Sequence, residues 1–205
     1  MACFYVESTV PTKVYTVRIV MLGACSGKSA IAVRFVSDRF EEKSFKTVGA
    51  VYRCKKMEID DDLVCFQVWD TSGNAKYTEI SKMYLRGAHV AMLVYDVTKP
   101  STFEELKRWV DIVEKDDRVH TTVLVGNMQD LPSVVDDEVA LALAQSHGMH
   151  FTTVSAKTGQ NVHALFLTIG KFCTFTRGFE KKEMHFQEVY LNNFERSCIN
   201  IHILF

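Results

Sequence analysis

The sequence predicts an α/β fold of three layers, a mostly parallel sheet of six strands with helices on both faces. Three observations point there. Short apolar runs alternate along the chain with segments of helical period. The run Val90-Ala91-Met92-Leu93-Val94-Tyr95 is apolar throughout, as a strand buried on both faces must be. The segment Gly23-Ala24-Cys25-Ser26-Gly27-Lys28-Ser29 joins an apolar run to a helix-like stretch, the turn of a strand feeding a helix.

The elements follow in order. Thr16–Leu22 reads as the first strand and Lys28–Ser37 as the first helix. Arg53–Ile59 and Leu63–Asp70 are two strands joined by Asp60-Asp61-Asp62, short and polar enough for an antiparallel hairpin at one sheet edge. Val90–Tyr95 follows. Phe103, Leu106, Val110 and Val113 recur at spacings of three and four, a helical stripe with Glu104 and Glu105 in its first turn. Thr121–Gly126 is a buried strand, and Val135–His147 a helix closed by Gly148. His150–Val154 is a short strand. Val162, Leu165, Phe166, Ile169 and Phe172 share one face of a last helix, Val162–Phe172. We divide the chain into an N-terminal extension (1–13), one domain (14–175) and a divergent tail (176–205). In the tail Phe186, Val189, Tyr190 and Phe194 sit at loose helical spacing and Ile199, Ile201 and Ile203 alternate; a packed element, an interaction segment and an unselected end all remain open.

Composition narrows the function classes. A net charge of -1 offers nothing to a nucleic acid, and no apolar run is long enough to span a membrane. The first residues lack the basic start and apolar core of a signal peptide, so a cytoplasmic protein with its six cysteines reduced is expected. Neither the cysteines nor the seven histidines show metal-ligand spacing.

The chemistry-bearing motifs all fall just after predicted strands, the edge where ligands bind in such sheets. The glycine segment follows the first strand and approaches G-x-x-x-x-G-K-[ST], the loop whose backbone N–H groups cradle phosphates, but with three residues between its glycines instead of four. Trp69-Asp70-Thr71-Ser72-Gly73 follows the third strand, Asn127-Met128-Gln129-Asp130 the fifth and Ser155-Ala156-Lys157 the sixth. Thr47-Val48-Gly49 precedes the second.

In these motifs, their order and their spacing the chain resembles the small GTPases, and within them the Rab family, from about Val14 to Cys173. Thr47-Val48-Gly49-Ala50 and Lys82-Met83-Tyr84-Leu85-Arg86-Gly87-Ala88 look most like its endosomal members. The resemblance implies the P-loop GTPase fold and a GTP/GDP site with Mg²⁺. It places the phosphates on Gly23, Ala24, Cys25, Ser26, Gly27, Lys28, Ser29 and Ala30, with Lys28 reaching the β- and γ-phosphates. It gives Mg²⁺ to Ser29, Thr47 and Asp70, and makes the N–H of Gly73 the sensor of the γ-phosphate. Asp130 would accept from guanine N1–H and N2–H. Asn127 would brace that loop, the N–H of Ala156 face the guanine oxygen, Ser155 support it, and Lys157 and Phe40 flank the base. Lys28, Thr47 and residue 74 are the implied catalytic positions. Effectors and an exchange factor would engage the loops around Thr47 and Asp70–Tyr84, on a monomer working in vesicle traffic, peripheral on endosomal or other vesicle membranes.

Four departures all weaken one function. The short loop loses a backbone donor and ~3.3–3.6 Å of reach, so weaker phosphate binding is expected; a slid register would put Leu22 in the first glycine's place. Asn74 stands where the family has the glutamine that orients the attacking water, ~1.5 Å short by one methylene, so slow hydrolysis is expected. Met128 replaces a lysine, removing its charge and its tie to the glycine loop. Cys198 is followed by seven residues, unlike a C-a-a-X box, so attachment by the family's usual lipid is not expected, and palmitoylation of Cys3 or Cys198 is a minor alternative. The competing reading is a pseudo-GTPase, an adaptor that binds partners without nucleotide switching.

Overall fold

The computed structural model describes residues 13–42, 46–116 and 118–176. Cys3, Cys198 and the apolar positions of the tail lie outside the described residues.

Six strands form one sheet in the order β2-β3-β1-β4-β5-β6. These are β1 (Val14–Leu22), β2 (Ala50–Ile59), β3 (Asp62–Thr71), β4 (Val90–Asp96), β5 (Thr121–Asn127) and β6 (His150–Thr153). β1 pairs in parallel with β3 and β4, and β5 in parallel with β4 and β6. Only β2 runs antiparallel, as the edge strand of a hairpin in which Ile59 faces Asp62. The expected fold is therefore the one observed.

Two cores lie on the two faces of the sheet because β4 is buried along its whole length. Val90, Met92 and Val94 point to one face, where they meet α1 (Lys28–Ser37) and α6 (Val162–Phe175). Ala91, Leu93 and Tyr95 point to the other, toward α3 (Pro100–Glu104), α4 (Leu106–Glu114) and α5 (Asp137–Ser146). In the first core the rings of Phe35 and Phe166 stack with centroids 3.6 Å apart. Phe66 of β3 sets its edge against both, at 5.3 and 5.9 Å. This aromatic trio locks α1 and α6 to the sheet, and with them the two loops that precede these helices.

Several boundaries differ from the sequence reading: β1 and β2 begin earlier, at Val14 and Ala50, α6 runs on to Phe175, and three larger differences follow. A 3₁₀ turn (Ala75–Tyr77) and α2 (Thr78–Leu85) fill a segment to which no element was assigned. Only Ser81 and Leu85 of α2 are buried, so it carries no apolar stripe to read. The helix over Phe103–Val113 is broken at Glu105 into α3, started by Pro100 at its first turn, and α4. The next helix begins at Asp137, because Asp136 caps it by accepting from the N–H of Glu138 at 2.9 Å, and buried Val135 lies before it.

Truncating Phe166 to Ala removes the centre of the aromatic trio. The expected loss is ~3–5 kcal/mol of unfolding free energy, read from urea denaturation. A loss under ~1 kcal/mol, the scale of a conservative core change, would show that α6 is anchored elsewhere.

Candidate functional site

The parallel strands end together, and their carboxyl ends carry the loops of interest. Thr71, the last residue of β3, donates its hydroxyl to the Met21 carbonyl at 2.6 Å, so the ends of β1 and β3 are pinned side by side. The glycine loop spans 23–27. Its register has not slid. Leu22 pairs with Leu93 inside the sheet, and Gly23 takes φ 124°. A Cβ there would lie 2.2 Å from the Val94 carbonyl oxygen, so no other residue fits. Inside the loop the Ser26 N–H donates to the Ala24 carbonyl at 2.7 Å. One of the few backbone donors of a short loop is thus already used within it.

Lys28 opens α1 and is 4% exposed. Its ammonium donates to the carbonyls of Gly23 at 2.7 Å and Ala24 at 3.0 Å, which holds the loop closed over it. Burial lowers its pKa from 10.5 to about 8, against the opposing pull of Asp70. Asp70, 1% exposed, shifts the other way: burial raises it, although Ser29 and Lys28 favour its charge. Among the described residues neither carboxylate oxygen of Asp70 has a hydrogen-bond partner. The nearby hydroxyl of Ser29 instead shares a hydrogen bond with Thr47 at 2.9 Å.

Two hydroxyls and a buried, unpartnered carboxylate form an all-oxygen set suited to a hard divalent cation such as Mg²⁺. Among the described residues no cluster of His, Cys, Asp and Glu offers another metal centre. Gly73 closes the site from the side of β3. A Cβ on it would stand 2.7 Å from the Ala24 carbonyl carbon, so its backbone lies directly against the glycine loop.

On the far side Asn127 ends β5 and is 1% exposed. Its amide donates to the Ser26 carbonyl at 2.9 Å, and its carbonyl oxygen accepts the N–H of Ala156 at 3.2 Å. The N–H of Ala156 is therefore shared before any base arrives. Ser155 is fully buried and donates its hydroxyl to Asp130 at 2.5 Å, which fixes the carboxylate's direction. Met128 adopts φ 70°, a region that costs a residue with a side chain. Its methyl group lies 3.6 Å from where a Cβ on Gly27 would be, so the uncharged side chain lies beside the glycine loop. Phe40 packs on the first core, and Lys157 is exposed at the rim. Cys25 is exposed at the tip of the glycine loop, and Ala30 is half-buried in the first turn of α1.

Asn74 has another task. Its side-chain oxygen accepts the N–H of Lys76 at 2.9 Å, and it is the N-cap of the 3₁₀ turn before α2. The sequence reading also passed over Ser72, whose N–H donates to the Gly49 carbonyl at 2.8 Å, tying the 46–49 loop to the segment after β3. It passed over Arg34 as well, which bonds the loop at 156–157 from α1.

The lowered pKa of Lys28 carries a pH signature. In the fold it releases its proton near pH 8, and in the unfolded chain near 10.5. Between those values the unfolded state binds more protons, so stability rises with pH there, and the burial penalty is present in full below pH 8. Without nucleotide, the difference in unfolding free energy between wild type and Lys28→Met should therefore move in favour of wild type from pH 8 to 10.5. Parallel profiles would show that the ammonium is not desolvated.

The Ras family model matches residues 18–174. Ras-related protein RABF2b of Arabidopsis thaliana is 37% identical over 158 residues, 75% of this chain and 79% of the relative. Ras-related protein Rab5A of Oryza sativa subsp. japonica is 36% identical over 163 residues, 78% and 80% respectively. With this kinship over most of the domain and the motifs gathered on one sheet edge, the chain belongs to the Ras family, among the Rab-type small GTPases that bind GTP and GDP with Mg²⁺ and hydrolyse GTP.

Proposed function

We propose that this protein is a guanine-nucleotide switch of endosomal vesicle traffic that hydrolyses GTP slowly. The observation that carries the reading is the pairing of two half-sites on one edge. Lys28 and the Ser29, Thr47 and Asp70 oxygens lie on one side of Asn127, and Asp130 with Ser155 and Ala156 on the other. The first suits a polyphosphate with its cation, the second a base that donates two hydrogen bonds.

The chain's own groups supply the steps. Asp130, oriented by Ser155, accepts from guanine N1–H and N2–H, which adenine cannot offer. Contact of the Ala156 N–H with the guanine oxygen requires its 3.2 Å bond to Asn127 to be shared. Lys28 turns from the loop carbonyls to the β- and γ-phosphates, a strong charge-assisted contact in a site shielded from water. Ser29, Thr47 and Asp70 would hold Mg²⁺, which when bound neutralises phosphate charge. Thr47 and the N–H of Gly73 sit on segments joined through Ser72 and Gly49, so a change at one is felt at the other.

Slow turnover rests on Asn74. The residue is short for orienting a water, and its oxygen is engaged as a helix cap. The partner surface lies beside these segments. Trp69 stacks on Tyr84 at 4.8 Å and meets Tyr52 at 5.1 Å, while Val48 and Met83 are 73% and 66% exposed. An apolar surface that borders both nucleotide-sensing segments suits effectors and an exchange factor that read the bound nucleotide. Kinship with the Rab5-type relatives supports the endosomal assignment and a peripheral place on that membrane. Among the described residues no helix is long and apolar enough to cross one.

Protein purified in Mg²⁺ and then denatured should release near-stoichiometric guanine nucleotide, with GTP in excess of GDP. Release of no nucleotide, with no thermal shift on adding GTP, would favour the adaptor reading. Asn74→Gln should raise single-turnover hydrolysis by ~10- to 100-fold, the scale of a 1 Å correction in placement. An unchanged rate would mean that residue 74 does not limit the reaction.

A further inference from the structure

We infer that Arg34 is a positioning residue of the base half-site, setting how tightly and how selectively guanine is held. The inference rests on the guanine-nucleotide reading above.

Arg34 lies in the last turn of α1, at the opposite end of that helix from Lys28, and its side chain is 15% exposed. Its Nε donates to the carbonyl of Ala156 at 2.9 Å, and one terminal nitrogen donates to the carbonyl of Lys157 at 2.7 Å. The other terminal nitrogen donates to the Asp38 carbonyl at 2.9 Å and to its carboxylate at 3.1 Å. The stem runs beside the same loop: a Cβ on Gly159 would stand 3.6 Å from Arg34 Cδ. A planar guanidinium thus spans two successive carbonyls and the helix end, which a single ammonium cannot do.

The consequence follows from what else the loop touches. Ser155 Oγ aims Asp130, and the Ala156 N–H meets Asn127. Those contacts hold the loop from the β5 side alone. Arg34 holds it from the α1 side, so Asp130 and the backbone beside the base are fixed between two anchors. Without Arg34 the carbonyls of Ala156 and Lys157 lose their charged donor, and the loop keeps its bonds to Asp130 and Asn127 and those within its own turn, none of them from the α1 side. The phosphate half-site, built on the N-terminus of the same helix, has no bond to Arg34.

The test separates the two halves. Full-length wild type, Arg34→Met and Arg34→Lys are compared by dissociation constants for GDP, for IDP, which lacks the 2-amino group that Asp130 reads, and for GMP, which lacks the β-phosphate. Ser37→Ala serves as a control, since Ser37 is an exposed residue of the same helix whose hydroxyl bonds the Val33 carbonyl. In Arg34→Met the preference for GDP over IDP should fall by about tenfold, the worth of one well-placed hydrogen bond. The preference for GDP over GMP should hold. Arg34→Lys should show a smaller loss in the same direction and keeps the comparison available if the methionine variant does not fold. Ser37→Ala should match wild type. Equal loss of both preferences, or loss of neither, would overturn the role of Arg34. Failure of wild type to bind any of the three would overturn the guanine reading itself, and this inference with it.

Discussion

The carboxamide of Asn127 touches both halves of the site at once, and their separation depends on it. It donates to Ser26 in the glycine loop and accepts from Ala156 in the base loop, from a position almost closed to solvent. The fit is close: a Cβ on Gly27 would fall 2.4 Å from its nitrogen. The two loops are more than a hundred residues apart in sequence, yet their distance is set by one planar group with a donor at one end and an acceptor at the other. No aliphatic residue could replace it without leaving a buried N–H and a buried carbonyl without partners.

Such a bridge works only if the strand ends are themselves fixed. Asn127 is the last residue of β5, in register with Asp96 of β4, and Leu22 of β1 is in register with Leu93. The span between the loops is therefore a property of three adjacent parallel strands. Their side chains fill both faces, and β4 is buried along its whole length, apolar from Val90 to Val94. A shift of one residue in any of them would exchange the side chains that fill the two cores and move a site loop with them, which couples packing of the cores to geometry of the site.

The parts of the molecule that sequence revealed are those governed by local pattern. A uniform apolar run marked β4, the short run Val123-Leu124-Val125 marked β5, and the acidic break at 60–62 marked the hairpin. What stayed hidden was set by long-range or competing interactions. α2 buries only Ser81 and Leu85, so periodicity had nothing to register. The break at Glu105 lies within a continuous stripe from Phe103 to Val113, and local spacing does not distinguish one helix from two. Arg34 reaches main-chain carbonyls 122 and 123 positions away, and a carbonyl carries no residue identity to match. Asn74 was legible in one sense and missed in another. Its shortness pointed to poor water placement, while its aptitude as an N-cap, an equally general property of asparagine, went unread. The motifs themselves became a site only through resemblance, because nothing in the spacing of Ser29 and Thr47 requires their hydroxyls to meet.

The buried charges show why such a site does not serve stability. Lys28 and Asp70 attract each other, and attraction alone would push the lysine's pKa up and the aspartate's down. Both move the opposite way, because loss of water outweighs the pairing. Asp70 is left without a hydrogen bond and Lys28 with only neutral carbonyls. A core selected for stability would replace such groups with apolar ones or complete their partners. Here each retains an unmet electrostatic preference, the ammonium for an anion and the carboxylate for a cation, within one pocket at the strand ends. A polyanion with a divalent cation satisfies both at once, and neither ion alone would. The same argument accounts for where the chain tolerates departures. Met128 and Asn74 lie at the margins and leave the buried pair intact, so the fit of the pocket to a polyanion with a divalent cation does not rest on them.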